Sequence, residues 1–209
     1  MRAIFLASGE GTTFEACVKQ CQHIVPVGMF TNNRNAGAIR RAKELDMFRI
    51  IFNNPLVTCK EDRDYHLNAC IASQLRFLQP DIIVLAGYMK MIPETLVMSY
   101  RDKIVNVHPS LLPKYPGLNT FRRALDAGGK YHGTTIHFVD EGMDTGPIIA
   151  QARFEISKDD TEDTLKEKTQ NEERKLYPLV LDAIATGEIT IKDGVVKKRH
   201  PENFPTFND

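Results

Sequence analysis

Ala3-Ile-Phe-Leu-Ala-Ser-Gly-Glu-Gly-Thr-Thr-Phe-Glu-Ala-Cys-Val-Lys-Gln-Cys-Gln22 reads as an apolar strand, a glycine turn and a helix in direct succession. The apolar run Ala3 to Ala7 is too short for a helix and suits a buried strand, whereas Phe14 to Gln22 reads as a helix. The pattern then repeats. Ile24 to Phe30 reads as a second strand, Ala36 to Asp46 as a helix and Arg49 to Phe52 as a third strand. Glu61 to Leu78 is a long amphipathic helix that stops before Pro80, and Asp81 to Ala86 is a buried strand. Such alternation predicts right-handed crossovers and a mostly parallel, Rossmann-like sheet flanked by helices.

The later part changes character. Ile104 to Val107 adds a strand and Phe121 to Asp126 a helix, after which Thr134 to Phe138 and Ile148 to Ile156 suggest antiparallel strands. A polar helix from Thr161 to about Ala185 precedes a hairpin, Ile189 to Lys197, turned at Asp193-Gly194. No repeat, low-complexity tract or linker divides the chain, so residues 1–209 are expected to form one α/β domain. The tail His200 to Asp209 is expected to be partly disordered.

At 209 residues and 42% hydrophobic content, the chain can bury a substantial core. Lys plus Arg and Asp plus Glu balance at 27 each, so no overall field draws nucleic acid or an anionic membrane, and a bound anion must be held locally. No apolar run approaches a membrane span and no signal-peptide core is present, which points to the cytoplasm. Cys17, Cys21, Cys59 and Cys70 form no Cys-x-x-Cys pair and have no His at zinc-ligand spacing, so reduced, mostly buried thiols and no metal are expected.

The chemistry concentrates in Val105-Asn-Val-His-Pro-Ser-Leu-Leu-Pro-Lys-Tyr-Pro-Gly117. Strand alternation puts Asn106 and His108 on one face, and Pro109 biases His108 towards extended backbone, so both side chains point at one spot. An amide donor beside an imidazole suits a carbonyl oxygen that gains negative charge while a proton moves nearby. The same pattern also fits a surface His near a turn. Asp144, in the acidic Gly-rich loop after a strand-like Thr134 to Val139 run, supplies a carboxylate to orient His108 and favour its charged form. His132 and His137 have no partner at useful spacing and read as structural.

The N-terminal glycines admit two readings, a tight turn or a phosphate cradle. Position 14 is Phe, so Gly9 and Gly11 do not complete Gly-x-Gly-x-x-Gly, and no Walker lysine follows. A dinucleotide site is therefore not expected. Gly11, Thr12 and Thr13 still fall where helix N-terminal amides are free, with two hydroxyls as added donors.

Asn106, His108 and Asp144, with His108-Pro-Ser-Leu-Leu-Pro113 and Asp144-x-Gly-Pro147, resemble the folate-dependent formyltransferases. Ser8 to Thr13, Leu85-Ala-Gly-Tyr-Met-Lys90 and Tyr115 to Thr120 extend the match to about Gly187, and resemble most the branch acting on phosphoribosylglycinamide. The resemblance implies a catalytic trio of Asn106, His108 and Asp144, and a formyl donor, 10-formyltetrahydrofolate. The pterin would lie between Met89, Lys90, Met91 and Ile92 on one side and Asp140, Glu141, Gly142, Met143 and Asp144 on the other. It further implies that Gly11 to Thr13 hold the substrate phosphate. Because Thr12-Thr13 replace the family's usual Ser-Asn, the backbone amides are the contacts expected there. Gln170 and Glu173, otherwise read as solvated helix face, would reach the ribose and glycinamide ends of the substrate. Leu112-Pro113 is implied to be cis.

Two other classes of reading compete with this one. A related enzyme that formylates methionyl-tRNA or an amino sugar would share the trio, though the transfer RNA enzyme is expected to carry a further basic C-terminal domain. A formyltetrahydrofolate deformylase would need an added N-terminal regulatory domain. From a different class, the chain could be a non-catalytic phosphate-ligand binding module in which His108 is merely structural, against which the presence of all three residues of the trio argues.

Overall fold

In the computed structural model, which describes residues 1–52 and 59–207, strand and helix alternate through the first half. β1 (Arg2–Leu6), α1 (Thr12–Gln20), β2 (Val25–Thr31), α2 (Gly37–Glu44), β3 (Arg49–Ile51), α3 (Lys60–Leu78), β4 (Ile82–Leu85), α4 (Glu94–Ser99) and β5 (Ile104–His108) follow in order. α5 (Thr120–Asp126), β6 (Tyr131–Phe138), β7 (Ile148–Glu155), α6 (Glu162–Ala185) and the hairpin β8 (Ile189–Lys192) to β9 (Val195–Lys198) complete it. The main sheet has the order β3-β2-β1-β4-β5-β6-β7. Its first five strands are parallel, and β6 and β7 run antiparallel.

The alternation of each central strand feeds two cores. Ala3, Phe5, Val84 and Val105 face α1, α2 and α6, packing with Phe14, Tyr177, Val180 and Leu181. Ile4, Leu6, Ile83, Leu85 and Ile104 face α3 and α4, packing with Leu67, Ile71, Leu75 and Leu96. Burial on both faces explains why these strands read as unbroken apolar runs.

Several boundaries move. α1 starts at Thr12 instead of Phe14 and ends at Gln20, so both threonines belong to its first turn. β6 starts at Tyr131, three residues before the expected Thr134. The six-residue α4 was given no bounds from the sequence; Pro93 is its cap and too few residues follow to show a period. The Asp193-Gly194 turn is as expected, with both φ angles positive at 51° and 73°. Of the tail, residues 200–207 pack onto β7. A short 3-10 helix (Pro201–Asn203) leads to a buried Phe204, and Pro205 accepts a hydrogen bond from the Gln151 amide at 2.8 Å.

All four cysteines are free thiols, but they are less uniformly buried than expected: Cys17 is buried, Cys21 and Cys70 are half-buried and Cys59 is exposed. Burial pushes the Cys17 thiol well above its ordinary range and Cys21 up to about 12, which keeps both protonated.

Tyr177 ties helix to sheet. Its hydroxyl is fully buried and donates to the Val105 carbonyl at 2.9 Å, with the Leu85 carbonyl at 3.2 Å. Tyr177→Phe leaves both carbonyls without that donor and should cost about 1 kcal/mol, lowering the melting temperature by roughly 2–4 °C. An unchanged melting curve would remove this contact from the account.

Candidate active site

Because β1, β4 and β5 are parallel, the loops that follow them leave from one edge of the sheet. β1 and β4 are adjacent while β2 lies to the other side, so the strand order reverses between them, where α/β sheets form a crevice. Ser8 fastens that crevice. Its hydroxyl donates to Asn32 Oδ1 at 2.7 Å and accepts from the Met89 amide at 3.1 Å, while its amide donates to the Gly87 carbonyl at 3.0 Å.

Asn106 and His108 share one face of β5, and β6 supplies their neighbours, since Asn106 pairs with His137 and His108 with Thr135. His108 is held at both ring nitrogens. Nε2 lies 2.9 Å from the Tyr115 carbonyl, which can only accept, so Nε2 carries a proton. Nδ1 lies 3.3 Å from Asp144 Oδ2, and that same carboxylate oxygen accepts from the Gly117 amide at 2.8 Å. Asp144 sits in the left-handed region at φ 56°, an uncommon backbone for a residue other than glycine.

His137, expected to be structural and without a partner, does have partners. Its Nδ1 donates to the Phe138 carbonyl at 2.8 Å, and burial holds the ring below its ordinary pKa and hence neutral. Nε2 is then an acceptor, receiving Asn106 Nδ2 at 3.1 Å. This bond fixes which way the Asn106 amide faces and leaves its second hydrogen for another partner. Asp144 Oδ1 lies 3.7 Å from the same ring. Nothing in the local sequence marks this pairing, which exists only across the ladder.

At the glycine loop, Gly11 has φ 75°, and a Cβ there would meet Ala38 Cα at 2.7 Å. Only glycine fits this close approach. The amides that follow open α1 and have no intrahelical acceptor. The Thr13 hydroxyl, expected as an extra donor to a phosphate, instead donates to Glu173 Oε2 at 3.0 Å. Glu173 was read from the residues alone as solvated helix face, yet it is buried, and burial pushes its carboxyl up to about 7 against the pull of Thr13 and Arg174. Gln170 lies three residues earlier on α6 and is half-buried.

The residues expected to line a pterin slot fall on two loops. Met89 and Met91 are 67% and 59% exposed after β4, Met143 is 54% exposed, and Ile92 packs against the second core. Exposed thioethers of this kind suit a flat aromatic ring. Lys90 pairs with Asp64 at 2.8 Å and Glu141 with Arg101 at 3.1 Å. Asp140 Oδ1 accepts from the Gly142 amide and Thr145 hydroxyl, at 3.1 and 2.7 Å, closing the loop that carries Asp144.

A family described as formyl transferase matches residues 1–181. The chain belongs to the formyl transferase family. It is 39% identical over 187 residues to the phosphoribosylglycinamide formyltransferase of Bacillus subtilis, covering 86% of this chain and 91% of that protein. The Escherichia coli enzyme of the same name is 33% identical over 197 residues, covering 92% and 91%. The crystal structure of phosphoribosylglycinamide formyltransferase from Anaplasma phagocytophilum superposes with a TM-score of 0.85 at 32% identity, covering 95% of this chain and 94% of that one.

For this formyl transferase the structure brings Asn106, His108 and Asp144 together and adds His137, while Thr13 and Glu173 form a second cluster. Leu112-Pro113 is cis, as the resemblance implied. Among the described residues no group of three His, Cys, Asp or Glu could hold a metal ion, and no helix is long and apolar enough to cross a membrane.

Glu173 gives a pH test without ligands. Its folded pKa of about 7 lies above the ordinary 4.5, so between those values the native chain holds a proton that the unfolded chain has lost. Stability therefore falls as pH rises through that window, by on the order of 3 kcal/mol. Glu173→Gln should raise the melting temperature at about pH 8 while changing little at about pH 5. A variant-minus-parent difference that does not grow with pH would contradict the burial argument.

Proposed function

We propose that this enzyme transfers the formyl group of 10-formyltetrahydrofolate to the terminal amine of 5-phosphoribosylglycinamide, a cytoplasmic step of purine synthesis. The observation that carries this reading is the convergence of Asn106, His108 and Asp144 at the end of β5, with the amides that open α1 leaving the same edge of the parallel sheet. The names and coverage of the relatives support the choice of amine.

The amine resembles an α-amino group, with a reference pKa near ~8, so a useful fraction is neutral at cytosolic pH. Its lone pair attacks the formyl carbon, and the carbonyl oxygen becomes an oxyanion. Asn106 offers it the Nδ2 hydrogen that His137 does not use. His108 offers Nδ1–H. The Asp144 contact at 3.3 Å is longer than the roughly 2.7–2.9 Å of a tight charge-assisted bond, so this proton can be shared, while Nε2 stays anchored on Tyr115. Asp144 supports the imidazolium and positions water that carries a proton from the attacking amine to the departing folate nitrogen. The amine loses one proton and that nitrogen gains one. The chemistry calls for no metal and no covalent enzyme intermediate.

Met89 to Ile92 and Asp140 to Asp144 would form the pterin slot, and Gly11, Thr12 and Thr13 the phosphate site, through backbone amides. Gln170 and Glu173 would address the ribose and glycinamide ends, with Thr13 holding the Glu173 carboxyl in place.

Steady-state kinetics test these roles. Asn106→Ala or His108→Ala should lower kcat by ~10²-fold or more with little change in ground-state binding. Asp144→Asn should lower the rate and remove or shift a limb of its pH profile, and the His108–Asp144 double variant should lose far less than the sum. Near-normal turnover in His108→Ala or Asp144→Asn would sink the mechanism, whereas losses confined to affinity would reassign the trio to binding. Glycinamide riboside, which lacks the phosphate, should bind at least ~10-fold more weakly if the α1 amides hold that group. Equal affinity with and without phosphate would take the loop out of the account.

A further inference from the structure

Gln151 lies on β7 opposite Thr135, is 1% exposed, and has no part in the chemistry above. Its Nε2 donates to the Leu112 carbonyl and to Thr135 Oγ1, each at 2.9 Å. Its Oε1 accepts from the Phe207 amide at 2.6 Å. The side chain thus joins the C-terminal segment to the loop after β5. Thr135 continues the connection, accepting from the Leu112 amide at 2.9 Å and donating to the Ser110 carbonyl at 2.7 Å. Ser110 Oγ donates to the Lys114 carbonyl at 2.6 Å and lies 3.3 Å from the Tyr115 carbonyl, the acceptor that anchors His108 Nε2.

Ser110 and Thr135 are fully buried, so water does not compete for these bonds. Thr135's single hydrogen and both its acceptor positions are used, as are both Nε2 hydrogens of Gln151. The network has no slack: releasing one member leaves a buried polar group unpaired. The C-terminal segment is fastened independently of it. Arg153 lies against the rings of Tyr131 and Phe207, at 4.5 and 4.3 Å, and Lys198 Nζ donates to the Phe204 carbonyl at 2.7 Å. Phe207 also walls a cavity of about 120 Å³ whose other side is the loop Leu111 to Tyr115.

We propose that Gln151 is a positioning residue for His108, and that the segment Phe204 to Phe207 is the strap that holds it. This rests on the reading that the loop after β5 carries formyl transfer. Without the Phe207 amide, Gln151 Oε1 loses its partner and the side chain can turn away from Leu112. The Tyr115 carbonyl and Gly117 amide, which hold His108 and Asp144, then lose their fixed positions. Errors of that kind reduce turnover far more than substrate affinity.

Two substitutions at one position isolate the effect. Phe207→Pro removes the ring and the amide hydrogen, whereas Phe207→Ala removes the ring alone. In the full chain, kcat of Phe207→Pro should fall at least ~3-fold below that of Phe207→Ala, with KM for phosphoribosylglycinamide within about two-fold. Hydrogen exchange at the Leu112 amide, read without substrates, should be faster in the proline variant. Gln151→Leu should lose about ten-fold or more in kcat; should it fail to fold, the Phe207 pair decides. Equal turnover in the two Phe207 variants, or a loss confined to KM, overturns the proposal. A parent chain inactive on this amine would overturn the substrate reading instead, and the exchange comparison alone would then decide the strap.

Discussion

The antiparallel pairing of β6 with β5 is the constraint on which the candidate site depends. A parallel neighbour at that edge would need a crossover of its own, whereas β6 returns alongside β5 and sets His137 opposite Asn106 and Thr135 opposite His108. One register therefore orients the Asn106 amide through a neutral imidazole. The same register puts a hydroxyl under the loop that anchors His108. A slip of one residue would turn each of these side chains to the other face.

Around that ladder the chain holds backbone that is costly in isolation. Tyr115, Asn119 and Asp144 all lie in the left-handed region, at φ 57°, 58° and 56°. Each costs of the order of 1 kcal/mol and persists only where neighbours over-determine it. Here they do. The Gly117 amide donates to Asp144, Arg123 Nη1 donates to the Pro116 carbonyl at 2.5 Å, and Arg123 stacks over the Tyr115 ring at 5.5 Å. The resulting turns aim one backbone carbonyl and one carboxylate at the two nitrogens of His108.

Much of this was legible from residue order, because the information is local. Apolar runs buried on both faces mark β1, β4 and β5, and alternation alone places Asn106 beside His108. The glycine turn after β1 and the Asp-Gly hairpin turn are read from single residues with positive φ. What stayed hidden depends on pairing between distant segments. His137 has only the Phe138 carbonyl in its own neighbourhood and meets Asn106 only through the register of β5 and β6. Glu173 sits on a polar helix and becomes buried because α6 packs over α1, which also diverts the Thr13 hydroxyl. The tail is polar and proline-rich, and only the open edge of β7 gives it a place to bind. Gln151 shows no pattern in sequence at all, since a lone glutamine in a strand is ordinary until its three partners are seen.

The central claim is that this geometry formylates a small phosphorylated amine. The most direct measurement offers the purified chain 10-formyltetrahydrofolate together with 5-phosphoribosylglycinamide, methionyl-tRNA or an amino-sugar nucleotide, and compares kcat/KM for formyl transfer to each. The account predicts transfer to phosphoribosylglycinamide at least ~10³-fold above the other amines, since the proposed reading seats its phosphate on the α1 amides and its glycinamide end at Glu173. Preferential formylation of either alternative, or release of formate without transfer to any amine, would contradict it.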